Sequence, residues 1–385
     1  MNPGTQLIAV QSLNPYPSVH IRGRPLTCCT LETVQPPALN IQQNVSLAPY
    51  TTFRIGGPAR FFADITSETA LLEAIAYART NNHPIFVLGG GSNLLVSDSG
   101  FDGLVLHVAI AHPFQAQPNG SHIDYTITAG CDWNAFVLYI AKQGITGIEC
   151  LAGIPGSVGG TPVQNVGAYG QEVANTITSV RALDLETTTF VDLTPDQCGF
   201  SYRRSIFNTT HRNRYIVTAV SFRLDPAAKP NLTYPDLTRY FASQTPTPID
   251  IYHAVRTIRH GKGMLLVDGE ADCRSAGSFF KNPIVPTATL NAIAATLNIP
   301  AETIPNWPAT EGQTKIPAAW LLEKAGFPKG FQQGNAGISS RHTLALINRG
   351  NATAADIEAL RDTIRAEVAK RFAIQLEQEP VQVGK

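Results

Sequence analysis

The sequence Gly89-Gly90-Gly91-Ser92-Asn93 follows one strand-like apolar run, and Gly153-Ile154-Pro155-Gly156-Ser157-Val158-Gly159-Gly160 follows another. Glycine permits positive φ and exposes consecutive backbone N–H groups, which can bind a phosphate. The first loop matches only part of the G-x-G-x-x-G pattern of dinucleotide-binding folds, and no Gly-Lys-Ser/Thr sequence follows to make a P-loop. Each loop alone could equally be a turn. Two such loops in one domain favour a dinucleotide whose pyrophosphate lies across both.

Hydrophobic periodicity around these loops predicts a mixture of helices and strands. We expect helices after the possible N-caps Ser67 and Asp132, at 251–258, at 315–324 and after a capping box formed by Thr353 and Asp356. Strands are expected at 85–88, 104–106, 180–185, 216–224, 343–347 and 372–383. The predicted class is α+β, with the last strand returning to an earlier domain.

Length and composition restrict the class of protein. A chain of 385 residues with 43% hydrophobic and 15% charged residues is typical of a globular protein of two or three domains. Its formal net charge of zero argues against binding to nucleic acid or to anionic membranes, and no apolar stretch approaches the length of a membrane span. The six cysteines show neither metal-ligand spacing nor a disulfide framework. We therefore expect reduced thiols, a cytoplasmic location and no metal site.

Two segments lack a regular hydrophobic pattern. Residues 1–47 contain scattered prolines and no basic start with a long apolar centre, so they differ from a signal peptide. We expect a flexible leader there, or a translation start assigned too far upstream. The proline-rich segment 226–248 predicts a domain boundary or an inserted surface loop.

Several side chains suited to binding or catalysis lie close together in one segment, Ser275-Ala276-Gly277-Ser278-Phe279-Phe280-Lys281-Asn282-Pro283. Small residues let another group approach the backbone, and proline stops a regular element from continuing. The segment offers a hydroxyl, an ammonium and an amide beside an aromatic wall, although a turn over two core phenylalanines would have the same sequence. Arg54-Ile55-Gly56-Gly57 adds a third close-approach site beside a cation, unless Arg54 is simply solvated.

Taken together, these segments resemble the UDP-N-acetylenolpyruvoylglucosamine reductase family. The resemblance runs in order from Thr51 to Glu379, and seven ordered blocks are far more specific than any one of them. The blocks are Thr52–Gly57, Leu88–Leu95, Gly153–Gly170, Tyr202-Arg203, Ala276–Pro283, Ala318–Leu321 and Leu376–Glu379, of which the short Tyr-Arg pair is the least specific. The sequence Leu232-Thr233-Tyr234-Pro235-Asp236-Leu237 also resembles the family's subclass with a tyrosine that closes over the nucleotide sugar.

The resemblance implies an FAD-binding region of two subdomains, of the vanillyl-alcohol-oxidase (PCMH) type, at residues 48–225. A separate α/β substrate domain is implied at 226–350, and residues 351–385 form a C-terminal helix and strand that return to the active site. The implied reaction is the NADPH-dependent reduction of UDP-N-acetylglucosamine enolpyruvate to UDP-N-acetylmuramate in peptidoglycan precursor synthesis. It uses non-covalent FAD, and a monomer is the simpler expectation.

The resemblance also implies roles for three catalytic residues. Hydride addition to the enolpyruvyl group creates an enolate-like anion, which Arg203 would stabilise as a cation and Glu379 as a protonated hydrogen-bond donor. Ser278 would donate the proton to the adjacent carbon. Without the resemblance, Arg203 could be a surface residue, and Ser278 could satisfy a turn carbonyl.

Binding roles follow from the same matches. The implied cofactor-binding residues are Arg54, Gly56, Gly89, Gly90, Gly91, Ser92, Asn93, Gly153, Gly156, Ser157, Gly159 and Gly160. The implied substrate-binding residues, in falling order of strength, are Tyr234, Lys262, Asn282 and Gln332. The chain departs from the family in a longer loop after Lys262 and in Gln378, where proline is frequent. Two alternatives stay open, another PCMH-type flavin oxidoreductase (a sugar or alcohol oxidase) or a non-catalytic nucleotide-sugar binder.

Overall fold

The computed structural model describes residues 39–384. Residues 1–38 of the expected leader, which include Cys28 and Cys29, lie outside the described residues. The helices in the described part are α1 (Glu68–Thr80), α2 (Trp133–Lys142), α3 (Pro195–Cys198), α4 (Pro235–Phe241), α5 (Pro248–Gly261), α6 (Thr289–Leu297), α7 (Ala318–Lys324) and α8 (Ala354–Phe372).

The strands are longer in the first half of the chain than in the second half. They are β1 (Ile41–Ser46), β2 (Pro58–Ile65), β3 (Ile85–Leu88), β4 (Leu94–Val96), β5 (Phe101–Val108), β6 (Gln115–Asn119), β7 (His122–Thr128), β8 (Gly167–Ala168), β9 (Gln171–Glu172), β10 (Ile177–Asp184), β11 (Thr189–Leu193), β12 (Tyr215–Leu224), β13 (Ile284–Pro286), β14 (Trp307–Pro308), β15 (Gln313–Lys315), β16 (Gln332–Gln333), β17 (Ala336–Ile338), β18 (Leu346–Asn348) and β19 (Val381–Val383).

The first glycine loop lies at the end of a four-stranded sheet with the order β1-β2-β5-β3. Strands β2 and β3 both pair in parallel with the buried β5. Helix α1 begins at the predicted N-cap Ser67, whose side chain accepts a hydrogen bond from the Ala70 N–H. Its buried residues recur at helical spacing, so one face packs on the core. The chain leaves β3 directly into Gly89, as the sequence predicts.

The second glycine loop follows α2 beside a five-stranded antiparallel sheet with the order β11-β10-β12-β7-β6. The Asp132 side chain caps α2 by accepting a hydrogen bond from the Ala135 N–H. The buried face of α2 carries Trp133, Phe136 and Ile140, and it shares one large core with both sheets. The two glycine loops therefore belong to one structural unit.

A second core underlies the C-terminal part of the chain. Helix α8 starts with the predicted capping box, since Thr353 and Asp356 exchange side-chain and backbone hydrogen bonds. Its residues Ile357, Leu360 and Ile364 are buried against α7 and the small sheet β16-β17-β18. The mixture of helices and sheets confirms the predicted α+β class.

The structure corrects several predicted elements. The expected leader is wrong at its end, because β1 pairs antiparallel with β2 and belongs to the first sheet. The segment 226–248 is not only a loop, since its prolines stand at the first turns of α4 and α5, where proline is tolerated. The helix expected from residue 315 begins at Ala318, after Lys315 has ended a strand. The strand expected over 343–347 is limited to Leu346–Asn348.

The last expected strand is also shorter than predicted. Helix α8 extends to Phe372, and only Val381–Val383 form a strand. This strand, β19, pairs in parallel with β4, just beyond the first glycine loop. The predicted return of the chain to an earlier domain is therefore confirmed, although Glu379 precedes the strand.

The predicted boundary between residues 225 and 226 does not separate two cores. Leu237 of α4 and Ile251 and Val255 of α5 are fully buried in the first core. Both helices thus belong to the unit that carries the glycine loops, because their apolar faces are covered by it. The four described cysteines, Cys131, Cys150, Cys198 and Cys273, are buried free thiols. Within residues 39–384, no helix has the length and apolar character needed to cross a membrane.

Candidate active site

A cavity of about 820 Å³ lies between the glycine loops and the segment that contains Ser278. Its wall brings together most of the residues singled out in the sequence. These are Gly89, Gly90, Gly91, Ser92, Asn93, Gly156, Ser157, Gly160, Arg203, Tyr234, Lys262, Ser278, Asn282 and Glu379. A volume of this size is typical of a site for a small molecule or a cofactor.

The two glycine loops touch each other at one side of the cavity. A Cβ atom added to Gly90 would lie 2.5 Å from Gly156 Cα, closer than real Cβ contacts allow. One added to Gly91 would lie 1.7 Å from the carbonyl oxygen of Tyr50, and Gly91 also has a positive φ of 61°. Both positions therefore require glycine, because Gly90 packs against the backbone of the second loop and Gly91 packs against the backbone of Tyr50.

The first loop offers free donors to the cavity. Among the hydrogen bonds of residues 39–384, none is donated by the backbone N–H of Gly90, Gly91 or Ser92. Consecutive unpaired N–H groups of this kind bind anions. Asn93 instead ties the loop to the C-terminal segment, since its side chain donates to the Glu379 carbonyl at 3.2 Å and its carbonyl accepts from the Val381 N–H at 2.9 Å.

Ser278 is followed by two buried anchors. Phe279 and Phe280 are 0% and 1% exposed, and the Phe279 N–H donates to the Leu344 carbonyl at 2.8 Å. The Phe279 carbonyl accepts from the Glu379 N–H at 2.9 Å. Within the described residues, the Ser278 hydroxyl takes part in no hydrogen bond, so it does not satisfy a turn carbonyl. It lines the cavity as a free donor with a fixed backbone.

Arg203 and Glu379 form a charged pair in the cavity wall. Arg203 Nε lies 3.5 Å from Glu379 Oε1, and the two side chains are only 26% and 18% exposed. The angle does not make a hydrogen bond, and Nε is a buried polar atom without a hydrogen-bond partner in the described residues. Burial raises the pKa of the Glu379 carboxyl, although Arg203 and Lys281 oppose the shift. The pair therefore places a cation beside a carboxyl whose neutral form is favoured by burial.

The substrate-binding candidates Tyr234, Lys262 and Asn282 stand elsewhere on the same wall. Tyr234 is the N-cap of α4 and is 39% exposed, and Lys262 follows the last turn of α5. The side-chain Oδ1 of Asn282 accepts a hydrogen bond from the Ala318 N–H at 2.9 Å, at the start of α7. Its amide nitrogen is left for a ligand.

Five predicted residues do not line the cavity, and the structure gives each another environment. Arg54 is exposed, and its Nη1 donates to the Pro49 carbonyl at 2.7 Å. Gly56 and Gly159 allow close packing, because added Cβ atoms would lie 2.9 Å from Val96 Cβ and 2.5 Å from Ala129 Cβ.

The other two are placed as follows. The Gly153 N–H donates to Asn134 Oδ1 at 2.7 Å. Gln332 is exposed in the short hairpin strand β16. These five assignments stay predictions, and none of them is carried by the cavity wall, since sequence alone cannot separate a packing glycine or a solvated side chain from one that meets a ligand.

Many residues of the cavity wall were not predicted as site residues, and three of them have ionisable side chains close to the predicted ones. Arg259 donates to the Gly153 carbonyl at 3.2 Å and to the Met264 carbonyl at 2.7 Å, and burial lowers the pKa of its guanidinium. Burial, with Lys262 nearby, lowers the pKa of His342 to about 4, so this imidazole is neutral at pH 7. Tyr169 is buried beside Lys262. Only Tyr169 had a signal, because it belongs to a matched block of sequence.

These residues fit a flavin dinucleotide. The first glycine loop leaves the backbone N–H groups of Gly90, Gly91 and Ser92 unpaired at the cavity, which suits a pyrophosphate. The free Ser278 hydroxyl and the unpaired Arg203 Nε belong to residues that line the same cavity, and both suit a reacting anion.

Comparisons with known proteins agree with this geometry. The family model described as the UDP-N-acetylenolpyruvoylglucosamine reductase C-terminal domain matches residues 269–383, and the FAD binding domain model matches residues 59–194. The second match confirms the predicted FAD cofactor and FAD-binding fold.

Relatives named UDP-N-acetylenolpyruvoylglucosamine reductase match nearly the whole chain. The protein of Thermobifida fusca is 42% identical over 351 residues, which cover 89% of this chain and 98% of the relative. That of Streptomyces coelicolor is 42% identical over 367 residues, covering 92% of each chain. The crystal structure of the reductase from Thermus caldophilus is 24% identical, covers 90% of this chain and all of its own, and superposes with a TM-score of 0.61, which supports the shared fold. The chain therefore belongs to the UDP-N-acetylenolpyruvoylglucosamine reductase family.

Proposed function

We propose that the protein reduces the enolpyruvyl double bond of UDP-N-acetylglucosamine enolpyruvate to give UDP-N-acetylmuramate, with NADPH as the hydride donor, in peptidoglycan precursor synthesis. The observation that carries this proposal is the meeting of Ser278, Arg203 and Glu379 with the glycine loops around one cavity. The family's relatives are named for this reaction.

The two glycine loops would hold FAD, which when bound would supply the hydride that NADPH provides to the terminal carbon of the enolpyruvyl group. As the hydride arrives, electrons move toward the substrate carboxylate. Arg203 stabilises this extra negative charge through its unpaired Nε, which has lost water and gained no protein hydrogen bond. The interaction is stronger with the anion than with the substrate, so it lowers the barrier.

Glu379 acts as a hydrogen-bond donor to the same anion. An ionised carboxylate would repel it, whereas a protonated carboxyl can donate. Burial raises the pKa of Glu379 and favours the protonated form. The Ser278 hydroxyl then gives its proton to the adjacent carbon, and water or a neighbouring group returns a proton to the serine.

The uridine diphosphate part of the substrate needs a cation and an aromatic ring. Lys262 supplies the cation and Tyr234 the ring, and the position of Tyr234 in Leu232–Leu237 supports assignment to the subclass with the closing tyrosine loop. Asn282 adds an amide donor. We expect a monomer in the cytoplasm, which light scattering and fractionation would test.

The test is NADPH oxidation by purified holoenzyme with and without UDP-N-acetylglucosamine enolpyruvate. We expect oxidation to depend on the substrate and the product to be UDP-N-acetylmuramate by mass spectrometry. Turnover of a sugar or an alcohol with oxygen instead would favour another PCMH-type oxidoreductase. Acid precipitation is a second check, because a dissociable flavin colours the supernatant and a covalent flavin colours the pellet.

A further inference from the structure

Lys262 belongs to a cluster that joins two helices at the cavity. Its Nζ lies 2.6 Å from Asp236 Oδ2 and 5.5 Å from the centre of the Tyr169 ring. The Tyr169 ring in turn packs edge-on against the Tyr234 ring, with 5.3 Å between the centroids. Lys262, which is predicted to bind the substrate phosphates, and Tyr234, the predicted closing tyrosine, are thus connected through Asp236 and Tyr169.

Asp236 holds one of the three donors of the Lys262 ammonium. In the described residues Lys262 Nζ makes no other hydrogen bond, so two N–H groups remain for a ligand. Lysine is otherwise a flexible side chain, and a ligand that has to order it loses affinity to that ordering. Here the ion pair and the Tyr169 ring order the ammonium before any ligand arrives. The side chain of Lys262 is also half-buried, and its pairing with Asp236 keeps it charged.

Asp236 lies in the first turn of α4, two residues after Tyr234. Lys262 lies at the C-terminal cap of α5. A bond between them fixes the start of α4 against the end of α5. It therefore fixes the backbone of Tyr234 and the ammonium of Lys262 with a single carboxylate.

We propose that Asp236 is a positioning residue for the uridine diphosphate part of the substrate, acting through Lys262 and through the start of α4. This inference rests on the proposed function and extends it to a residue that contacts no reacting atom. Its chemistry is that of a pre-ordered cation, which binds a diphosphate without first paying the entropy of ordering.

The experiment is calorimetric titration of UDP into the holoenzyme, followed by steady-state kinetics with the full substrate. For D236N we expect UDP to bind about tenfold more weakly, which corresponds to about 1.4 kcal/mol. The KM for the UDP-sugar should rise by a similar factor while kcat changes by less than about twofold, because the lost interaction is equal in the ground and transition states. D236E should restore part of the affinity.

Arg239→Ala is the matched control. Arg239 Nη1 lies 3.6 Å from Asp236 Oδ1, but Arg239 is 79% exposed and does not line the cavity. Its loss should leave UDP binding unchanged. In a K262M background, D236N should add almost nothing, because the two residues act as one unit.

Three results would overturn the inference. One is unchanged UDP binding in D236N with normal flavin content. Another is tighter binding, which would mean that Asp236 competes with the phosphate for Lys262. The third is a full D236N effect in the K262M background. Wild-type holoenzyme that binds no UDP would overturn the proposed function as well, which separates the two failures.

Discussion

Replacement of Ser278 by Ala separates chemistry from structure at this site. The Ser278 hydroxyl makes no hydrogen bond within the described residues, and its backbone is held by Phe279 and Phe280 on one side. Removing the oxygen should therefore change the free energy of unfolding by less than about 0.5 kcal/mol. Loss of a positioned proton donor typically slows a reaction by about 10²–10⁴-fold. That range corresponds to about 3–5 kcal/mol of barrier.

The two half-reactions locate the effect. In anaerobic stopped-flow, NADPH should bleach the flavin of S278A at the wild-type rate, since this step needs no proton from Ser278. Reoxidation of the reduced enzyme by the UDP-sugar should be slower by about 10²–10⁴-fold. The melting temperature should stay close to that of the wild type.

Ser275→Ala is the matched control. Ser275 stands three residues earlier on the same cavity wall, but it is buried and its Oγ accepts a hydrogen bond from the Gly277 N–H at 3.3 Å. We expect S275A to lose about 1 kcal/mol of stability and to keep most of its turnover. The reasoning would be refuted if S278A slowed flavin reduction and reoxidation equally, because Ser278 would then be a structural residue.

Three further changes test other parts of the structure. G90A places a Cβ 2.5 Å from Gly156 Cα, so the two loops must separate and the flavin content of the purified protein should fall sharply. The control G261A should keep its flavin, because the space around Gly261 is open. Equal flavin content in both variants would contradict the close contact of the loops. E379Q removes a carboxyl whose pKa is raised by burial in the folded protein. The wild type should therefore lose stability relative to E379Q as pH rises from the pKa of Glu379 in the unfolded chain through its pKa in the folded protein. A melting-temperature difference that does not change with pH would show that Glu379 has the same pKa in the folded and unfolded states. T353A removes the N-cap of α8 and should cost about 1 kcal/mol by thermal denaturation with kcat unchanged, and an unaltered melting temperature would rule out that cap.

Local signals in the sequence predicted the elements that carry the site. Ser67, Asp132 and Thr353 each cap the helix expected after them, because capping involves residues within one turn. The strand that enters Gly89 was also evident from four apolar residues and the glycines after them. The juxtaposition of the two glycine loops followed from the dinucleotide hypothesis, and the structure confirms that the loops touch.

Non-local packing was not predictable in the same way. Gly156 and Gly159 lie in one loop and look alike in sequence, yet one faces the cavity and the other packs on Ala129. Arg259 and His342 reach the cavity only because α5 and the loop before β18 are folded against it. Arg259 lies three residues before the predicted substrate residue Lys262, whereas His342 has no predicted site residue beside it in the sequence. Without the family resemblance, Arg203 and Glu379, far apart in the chain, would not have been paired.

The apolar cluster beneath Ser278 has a consequence for how the protein melts and how it can be divided. Phe53, Ile55 and Leu95, from the glycine-loop half, are buried in the same cluster as Phe279 and Phe280. The Asn348 side chain adds a hydrogen bond of 3.0 Å to the Phe53 carbonyl. Calorimetry should therefore record a single heat-absorption peak for residues 39–384. Two fragments of the chain, divided near residue 265, should aggregate when they are expressed separately and should bind flavin only when they are co-expressed.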